Sequence, residues 1–273
     1  MTRKLLSAGA VMAAVLLTGA IAAQAADVTF GGENLTRYEL RHQPDTAGVN
    51  DGLTQMRTRL NANIKVDDNI SAFTQLQMVN TWGDTTSTFS ATSPNDTNQQ
   101  VGLHQAYIKL NNLFGLPVEA QIGRQEVVLD GHRLFGNTLW TMGAQSHDAL
   151  RLTHKHDNMT LLYVWSLTQE NAAAIDPNDE GEKEAHIFWA HFKGLVGENS
   201  STSAYVVYND TDSGKAVAGG TDFWTIGARQ AGGFGDIDYR GEFYYQTGQS
   251  SDVDIDAYMF GARVGYTASQ VSM

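Results

Sequence analysis

The sequence lacks cysteine, contains only four prolines, and has few basic residues for a chain of 273. Without cysteine there can be no disulfide bonds and no thiolate metal ligands, so other interactions must stabilise the fold. After residue 25, no apolar run approaches the roughly 20 residues that a membrane-spanning helix requires. The 18 basic residues are outnumbered by 30 acidic ones, and this balance argues against binding to nucleic acid.

Residues 1–25 have the pattern of a secretory signal peptide. Arg3 and Lys4 precede an apolar run, and residues 23–25 form a small-x-small cleavage motif. The sequence therefore predicts a signal peptide over residues 1–25 and an exported domain over residues 26–273. Loss of Arg3 and Lys4 changes the formal net charge from −12 to −14.

Beyond residue 28 the chain consists of segments in which apolar and polar residues alternate, as in strands with two unlike faces. In the clearest segment, residues 55–66, the even positions are mostly apolar and the odd positions are polar or basic. The alternation predicts about twelve strands, at residues 28–42, 55–66, 70–82, 101–111, 117–124, 147–156, 159–167, 184–192, 202–209, 222–230, 237–247 and 253–266.

The connections between these strands alternate between tight and long. The long ones cover residues 43–52, 83–100, 125–146, 168–182 and 210–221. Short turns at one end and long loops at the other are typical of a transmembrane, antiparallel, up-and-down β-barrel. Aromatic residues at strand ends fit the girdles of such a barrel, namely Trp82, Tyr163, Trp165, Trp189, Trp224, Tyr239, Tyr245, Tyr258 and Tyr266. A secreted soluble β-protein is the alternative, but it leaves the arginines on the polar faces unexplained.

Basic residues concentrate on the polar faces of the strands. A charge on the lipid-facing side of a barrel costs about 2–4 kcal/mol at the midplane, so these faces should line the lumen. We expect Arg57, Arg59, Arg151 and Arg263 to point inward, and Leu60, Ile64, Leu150 and Val264 to point outward. The predicted pore-lining residues on strands are Arg37, Arg57, Arg59, Lys109, Arg151, Arg229, Arg240 and Arg263. Alternatively, each arginine pairs with a lumenal carboxylate and only braces the wall; the candidate acids are Glu33, Glu39, Glu119, Asp238 and Glu242.

Catalytic and metal sites find little support in the sequence. Ser146, His147 and Asp148 are triad residue types, but neighbours in a strand point to opposite faces. His154 and His156 share a face and could hold a metal ion, yet no third ligand is evident. We therefore predict no enzyme activity, no metal and no cofactor.

Residues 125–146 form a long segment that mixes apolar residues with charged ones, and we expect it to be ordered and to fold into the barrel. This segment and its flanks contain Gly123-Arg124-Gln125-Glu126, Gly131-His132-Arg133-Leu134, Gly136-Asn137, Trp140 and His147-Asp148-Ala149-Leu150-Arg151. In these motifs, and in its strand pattern over the mature chain, the sequence resembles the alginate-export family of outer-membrane barrels.

The resemblance implies an eighteen-stranded barrel with a basic lumen that passes a polyanionic polysaccharide. It adds Arg124 and Arg133 to the predicted pore-lining residues, and it implies a constriction formed by Asp130, His132, Asn137, Trp140 and Asp148. Two features depart from the family pattern: His147 stands where an aromatic residue is common, and the chain ends after about twelve strands. We therefore expect an incomplete barrel with its C-terminal strands missing and no ladder between the first and last strands present.

The expected function is passive passage of anionic solutes or acidic polysaccharide through the cell outer membrane, in contact with its lipid and lipopolysaccharide. An adhesin or structural barrel without a transport role is the alternative. The cargo, the direction of transport and the oligomeric state are left open by the sequence.

Overall fold

The computed structural model describes residues 26–42, 50–82, 101–169, 183–211, 221–250 and 253–267. The predicted signal peptide lies outside the described residues, as do most of the predicted long connections except the one after residue 125. None of the helices among the described residues has the length and apolar character needed to cross a membrane.

The described chain is all-β, with one 3₁₀ turn at Leu113–Gly115. Its twelve strands form a single antiparallel sheet in which each strand pairs with its neighbours in sequence, which confirms the predicted up-and-down order. The strands are β1 (Asp27–His42), β2 (Asn50–Lys65), β3 (Ile70–Thr81), β4 (Val101–Leu110), β5 (Val118–Gln125), β6 (His147–His156), β7 (Met159–Gln169), β8 (Lys183–Lys193), β9 (Ser200–Thr211), β10 (Thr221–Phe234), β11 (Ile237–Ser250) and β12 (Val253–Tyr266).

Tight turns close one end of the sheet. In the turn between β2 and β3, a side-chain oxygen of Asp67 accepts hydrogen bonds from the backbone N–H groups of Asn69 and Ile70, both at 2.7 Å. Such an Asx-type contact satisfies backbone donors locally, which explains why the short connection of residues 66–69 suffices. At the opposite end, residues 126–146 connect β5 to β6.

The sheet has two distinct faces, and the pairing register shows which residues share each one. Directly paired residues point to the same side, so the face of Arg57 continues through Val79 and the strands that follow to Arg263. The inner face is defined as the side on which residues 126–146 lie. Arg57, Arg59, Arg151 and Arg263 belong to it, whereas Leu60, Ile64, Leu150 and Val264 belong to the outer face, as predicted.

The outer face is apolar and exposed. Its exposed large residues include Phe30, Leu60, Leu76, Ile108, Leu161, Phe188, Val206, Trp224, Ile226, Phe243, Tyr245, Tyr258, Phe260 and Val264. In water this surface would be unfavourable, but hydrocarbon is its natural solvent. The girdle prediction was wrong for Trp189. That residue pairs with Leu162 and Tyr205 and lies on the inner face.

Residues 126–146, called the inner segment from here on, contact both ends of the sheet. Arg133 reaches Glu242 on β11, and the backbone of Trp140 contacts Arg37 on β1. In a flat sheet, ten strand spacings would separate β1 from β11 by roughly 48 Å. Seven residues extend at most about 25 Å, and these are folded into turns. The sheet therefore curves around the inner segment.

A hydrophobic core lies between the inner segment and the inner face. Val127 and Leu129 of the segment pack with Val164, Ile187 and residues of the following strands. The complete cluster contains Val127, Leu129, Ala149, Leu162, Val164, Ile187, Tyr205, Val207 and Tyr244. The inner face carries polar as well as apolar residues here. The alternation of the strands therefore did not reveal this core.

The two outermost strands are not joined to each other. Among the described residues, β1 pairs with β2 and β12 pairs with β11, but no ladder links β1 to β12. The expected absence of this ladder is therefore confirmed for the described strands. The expectation of further strands in a larger barrel stays a prediction.

Candidate functional site: the inner segment and the basic inner face

Two consecutive backbone turns give the inner segment its shape. In the first, Leu129 N–H donates to Phe135 O at 3.1 Å, and in the second, Gln145 N–H donates to Asn137 O at 3.0 Å. Asp130, His132 and Thr138 adopt positive φ angles of 47°, 62° and 45°. Asp and His tolerate this left-handed conformation better than most residues, so Asp130 and His132 suit the first turn, whereas the β-branched Thr138 is strained in the second.

Asp130 is the first anchor of the segment, held by three hydrogen-bond donors of the strand wall. Its carboxylate accepts hydrogen bonds from Trp189 Nε1 at 3.1 Å, from Ser203 Oγ at 2.9 Å and from the Tyr205 hydroxyl. Arg229 Nη1 lies 3.7 Å away, and the Asp130 side chain is only 5% exposed. A buried carboxylate is tolerated only when such donors replace its hydration. Asp130 therefore anchors the segment to β8, β9 and β10 and does not face the lumen.

Arg133 and Arg240 share a second anchor. Arg133 donates from Nε and Nη2 to Glu242 Oε1 at 3.1 and 3.0 Å, and Arg240 Nε lies 3.9 Å from the same oxygen. The Glu242 side chain is 2% exposed, whereas that of Arg133 is 48% exposed. A Cβ atom on Gly131 would lie 3.5 Å from Arg240 Nη1 and 3.9 Å from Arg229 Nη2, so the two guanidinium groups converge at this glycine. Arg133 and Arg240 share the single carboxylate of Glu242, which cannot neutralise both positive charges.

The third anchor begins at a β-bulge. The register of β3 and β4 shifts between Gln75 and Leu76, and this shift leaves His104 as an extra residue without a strand partner. Its Nε2 lies 2.9 Å from Glu126 Oε1 and 3.0 Å from Arg59 Nη2. Bulges commonly redirect a side chain in this way. Asn137 Nδ2 donates to the other oxygen of Glu126 at 2.8 Å, so the base of the segment is fixed from both sides.

The pKa of Glu126 reflects this environment. Burial raises the pKa of the carboxyl, but the hydrogen bonds from His104 and Asn137 and the nearby positive charge of Arg59 lower it. The net result is a pKa below the ordinary value, so Glu126 is ionised at neutral pH. An ionised Glu126 holds the segment through charge-assisted hydrogen bonds.

The distal part of the segment is held through its backbone. Gln77 Nε2 donates to Gly143 O at 2.7 Å, and Arg37 Nη1 donates to Trp140 O at 2.5 Å. The Arg37 guanidinium also lies over the Trp140 ring, with Cζ 4.7 Å from the ring centroid. The prediction that residues 125–146 fold against the barrel wall is therefore confirmed by the contacts of this segment with β1, β3 and β11. His132, by contrast, is exposed at the surface of the segment.

Most of the other predicted pore-lining residues have carboxylate partners. Arg57 lies 2.5 Å from Glu33, Lys109 lies 3.3 Å from Glu119, and Arg263 lies 3.2 Å from Asp238. Pairing of this kind is the bracing role considered as the alternative. Arg151 differs: among the described residues it has no ion pair, and its buried Nε has no hydrogen-bond partner.

The assignment of Arg124 and Asp148 to the pore and its constriction was wrong. Arg124 pairs in register with Ala106 and Asp148, which places these residues on the outer face. The two form a bidentate ion pair, at 3.0 and 2.9 Å, near the long-connection end of the sheet. The motif had suggested both residues, but the period of two along β5 puts Arg124 on the same side as Ile122.

Sequence reasoning missed several residues of the site. His104, Glu126, Trp189, Ser203 and Tyr205 all contact the segment or its anchors. The odd positions of β8 and β9 alternate with outward residues, so face assignment could have placed Trp189 and Tyr205 inward. The contact of Asp130 with them joins residues 59 to 75 positions apart, and no local pattern indicates it.

A serine, a histidine and an aspartate do meet in the wall, but they do not form a catalytic relay. His191 Nδ1 lies 3.0 Å from Ser203 Oγ and 3.6 Å from Asp130 Oδ1, so one ring nitrogen faces both groups. A relay requires the two ring nitrogens to serve different partners. Ser203 is also 0% exposed, which denies it a substrate. The group of Ser146, His147 and Asp148 is separated as expected, because His147 and Asp148 point to opposite faces.

The two histidines considered as metal ligands, His154 and His156, stack with ring centroids 6.3 Å apart. Over the part of the chain that the structure describes, no group of three or more His, Asp or Glu residues could hold a metal ion.

Comparisons with known proteins bear on the fold and the family. The family described as Alginate export matches residues 26–273. No curated protein matches the chain. Among solved structures, the trimer form of in-vitro folded OmpT, an outer membrane protein of Vibrio cholerae, is similar at 10% identity and a TM-score of 0.45, covering 90% of this chain and 85% of that one.

Two other solved structures are similar in the same way. OmpF of Salmonella typhi in complex with daunomycin has 11% identity and a TM-score of 0.36, covering 87% of this chain and 85% of its own. A double mutant of the porin from Rh. blastica has 15% identity and a TM-score of 0.35, with coverage of 86% and 89%. The family assignment rests on the sequence match, which covers more than half of the chain.

Proposed function

The chain belongs to the alginate export family of outer-membrane channels, and from this premise we propose that it passes anionic solutes or acidic polysaccharide through an arginine-lined interior. Its location is the cell outer membrane. Within the proposal, transport is passive, the outer face contacts lipid and lipopolysaccharide, and no step is enzymatic. The mature domain is proposed to be residues 26–273, after removal of the signal peptide 1–25.

The observation that carries the proposal is the state of Arg151. This arginine lies on the inner face, pairs in register with Gln121 and Val164, and has no ion pair among the described residues. A guanidinium is always charged and is more costly to leave without partners than a neutral group. An unpaired arginine on a channel wall is therefore suited to a negatively charged solute that passes through.

The sharing of carboxylates adds to the positive field. Glu242 is shared by Arg133 and Arg240, so one carboxylate faces two guanidinium groups. A basic wall in a low-dielectric setting focuses the field and favours anions. The adhesin alternative depends on the other long connections, which lie outside the described residues.

The test is the reversal potential of the purified protein in planar bilayers under a salt gradient, with Arg151→Gln compared with Arg124→Gln. Each variant removes one arginine, but Arg124 is on the outer face and serves as the matched control. A unit charge about 8 Å from a permeating ion contributes roughly 0.5–2 kcal/mol, depending on the effective dielectric constant. Arg151→Gln should therefore lower the anion-to-cation permeability ratio at least about twofold, and Arg124→Gln should leave it unchanged.

Three results would each contradict the proposal. A cation-selective or unselective wild-type channel would exclude an anion pathway, and a complete lack of conductance by the folded protein would favour the adhesin. Equal shifts from Arg151→Gln and Arg124→Gln would show that the position of the charge on the inner face is irrelevant.

A further inference from the structure

The outer face is not smooth: an apolar groove crosses strands β6 to β9. Its volume is about 430 Å³, which is within the range of roughly 300–1,000 Å³ found for small-molecule sites. Ala190 and Ala204 form its floor, because they pair directly and their side chains are short. Leu161 on one side and Phe188 and Val206 above rise around this floor. The groove is therefore a defined cavity in the surface that faces the membrane.

The groove runs from one rim of the sheet toward the middle of the wall. His154 lines one end and lies close to His156, the last residue of β6. Ala204, at the other end, pairs with Ala228 in the middle of β10. The His154 end is on the side of the tight turns, which is the periplasmic side of such barrels. The groove therefore begins at the periplasmic surface of the membrane and leads into the hydrocarbon layer.

Two histidines mark the periplasmic end of the groove. The rings of His154 and His156 stack with centroids 6.3 Å apart. Nδ1 of His154 lies 2.8 Å from Pro117 O and must donate to it, because a carbonyl oxygen can only accept. This bond orients the ring and leaves Nε2 without a hydrogen-bond partner within the part of the chain that the structure describes. A protonated imidazole held in this way donates a charge-assisted hydrogen bond to an anion.

The apolar groove and the histidines together fit a phospholipid. Water has no polar partners in such a groove, whereas an acyl chain is the natural occupant of a cavity that opens into hydrocarbon. The phosphate of the same lipid lies at the membrane surface, where His154 is found. Lipopolysaccharide belongs to the opposite rim, on the side of the long connections. A second copy of this chain would fill the groove with side chains but would bring no anion to His154.

We propose that this groove binds an acyl chain of a phospholipid from the periplasmic leaflet, and that His154 binds the phosphate of its headgroup. His156 stacks on His154 and is itself 70% exposed at the membrane surface. The inference goes beyond the proposed function, because it concerns the lipid-facing side of the wall and involves no transported solute. It also gives a role to the two histidines, which are not sufficient for a metal site.

The experiment is native mass spectrometry of the folded protein in detergent, titrated with three lipids. These are phosphatidylglycerol, a diacylglycerol with the same acyl chains, and lipid A. The wild type should retain one phosphatidylglycerol at concentrations at which the other two lipids dissociate. His154→Phe keeps a ring but removes the hydrogen-bond donor. It should raise the Kd for phosphatidylglycerol about tenfold and leave that for diacylglycerol unchanged.

A second variant tests the groove itself. Ala204→Leu places a larger side chain on the floor and should raise the Kd for both phosphatidylglycerol and diacylglycerol at least about threefold, because the acyl chain loses its packing contacts. Ala62→Leu is the matched control: it makes the same change on the outer face of β2, where Ala62 pairs with Phe30 and Thr74. It should bind all three lipids like the wild type. Circular dichroism melting checks that each variant is folded, and His154→Phe provides an independent reading if Ala204→Leu is not.

Each part of the inference has its own contrary result. Equal retention of phosphatidylglycerol and diacylglycerol by the wild type would overturn the phosphate contact. Tighter retention of lipid A would overturn the assignment to a phospholipid of the periplasmic leaflet. Equal effects of Ala204→Leu and Ala62→Leu would overturn the groove as the binding site. Anion selectivity is measured separately in planar bilayers, so none of these results would contradict the proposed function.

Discussion

Asp130 holds the inner segment against the strand wall. Its carboxylate receives three hydrogen bonds from β8 and β9 and faces Arg229, all in a buried setting. A buried carboxylate is favourable only when all of its hydrogen-bond donors are present. Each of these donors loses its bound water when the segment packs against the strands. The residue that motif reasoning assigned to the constriction is therefore a structural anchor.

Asp130→Ala is expected to destabilise the protein by about 3–5 kcal/mol, because it leaves Arg229 and three buried donors without their acceptor. The measurement is the free energy of unfolding in lipid vesicles by denaturant titration. Asp130→Asn keeps the size and part of the hydrogen bonding, so it should cost less. Equal losses for the two variants would contradict the role given to the acceptor oxygens.

The inner segment, considered as an element, is held by different means along its length. Its first part is fixed by buried and partly buried charged groups, including Glu126, and its distal part by hydrogen bonds to the backbone oxygens of Trp140 and Gly143. Loss of an anchor at the base should therefore loosen the whole element without unfolding the sheet, whose ladders do not depend on it.

Acidification should loosen the segment through Glu126. The pKa of this group in the folded protein is below its ordinary value of 4.5, so the stabilisation is complete above the ordinary pKa and is lost as pH falls through the lower, folded-state pKa. Hydrogen exchange of residues 126–146 should rise in that acidic window while exchange in the strands changes less. In Glu126→Gln, the rise in hydrogen exchange of residues 126–146 in this acidic window should be absent. A pH profile of exchange like that of the wild type would contradict the assignment to Glu126.

At the scale of the whole molecule, the two faces of the sheet have different solvents. The outer face presents large apolar residues that are exposed along most strands, whereas the inner face carries charged pairs and covers a core with the segment. This arrangement is stable only when hydrocarbon surrounds the outer face, which is consistent with the outer-membrane location of the family.

Adjacent residues of β2 provide a direct test of this polarity. Leu60 is on the outer face and 63% exposed, and Asn61 is on the inner face. Leu60→Arg should destabilise the protein in lipid vesicles by about 2–4 kcal/mol if the position is near the midplane. Asn61→Arg, with the same added charge, should cost much less. A larger loss for Asn61→Arg would mean that the faces are reversed.

The sequence by itself determined the strands, their order and the face of most residues. Alternation with a period of two is a local property, so residues 147–156 and 253–266 were located at the bounds that the structure has. The directions of Arg57, Arg151 and Arg263 followed from the same period. The assignment of Arg124 to the pore was wrong because it was based on a motif. The period of two along β5 already placed Arg124 on the outer face, together with Ile122.

Only the tertiary structure decided which groups meet. The bulge that turns His104 toward Glu126, the burial of Asp130 among Trp189, Ser203 and Tyr205, and the open ring of Trp140 beneath Arg37 all depend on how the sheet curves. These contacts join residues 22 to 103 positions apart, across strands whose relative positions the local pattern does not encode. Curvature and packing are set by all twelve strands and the segment together, and for that reason they appear only in the folded molecule.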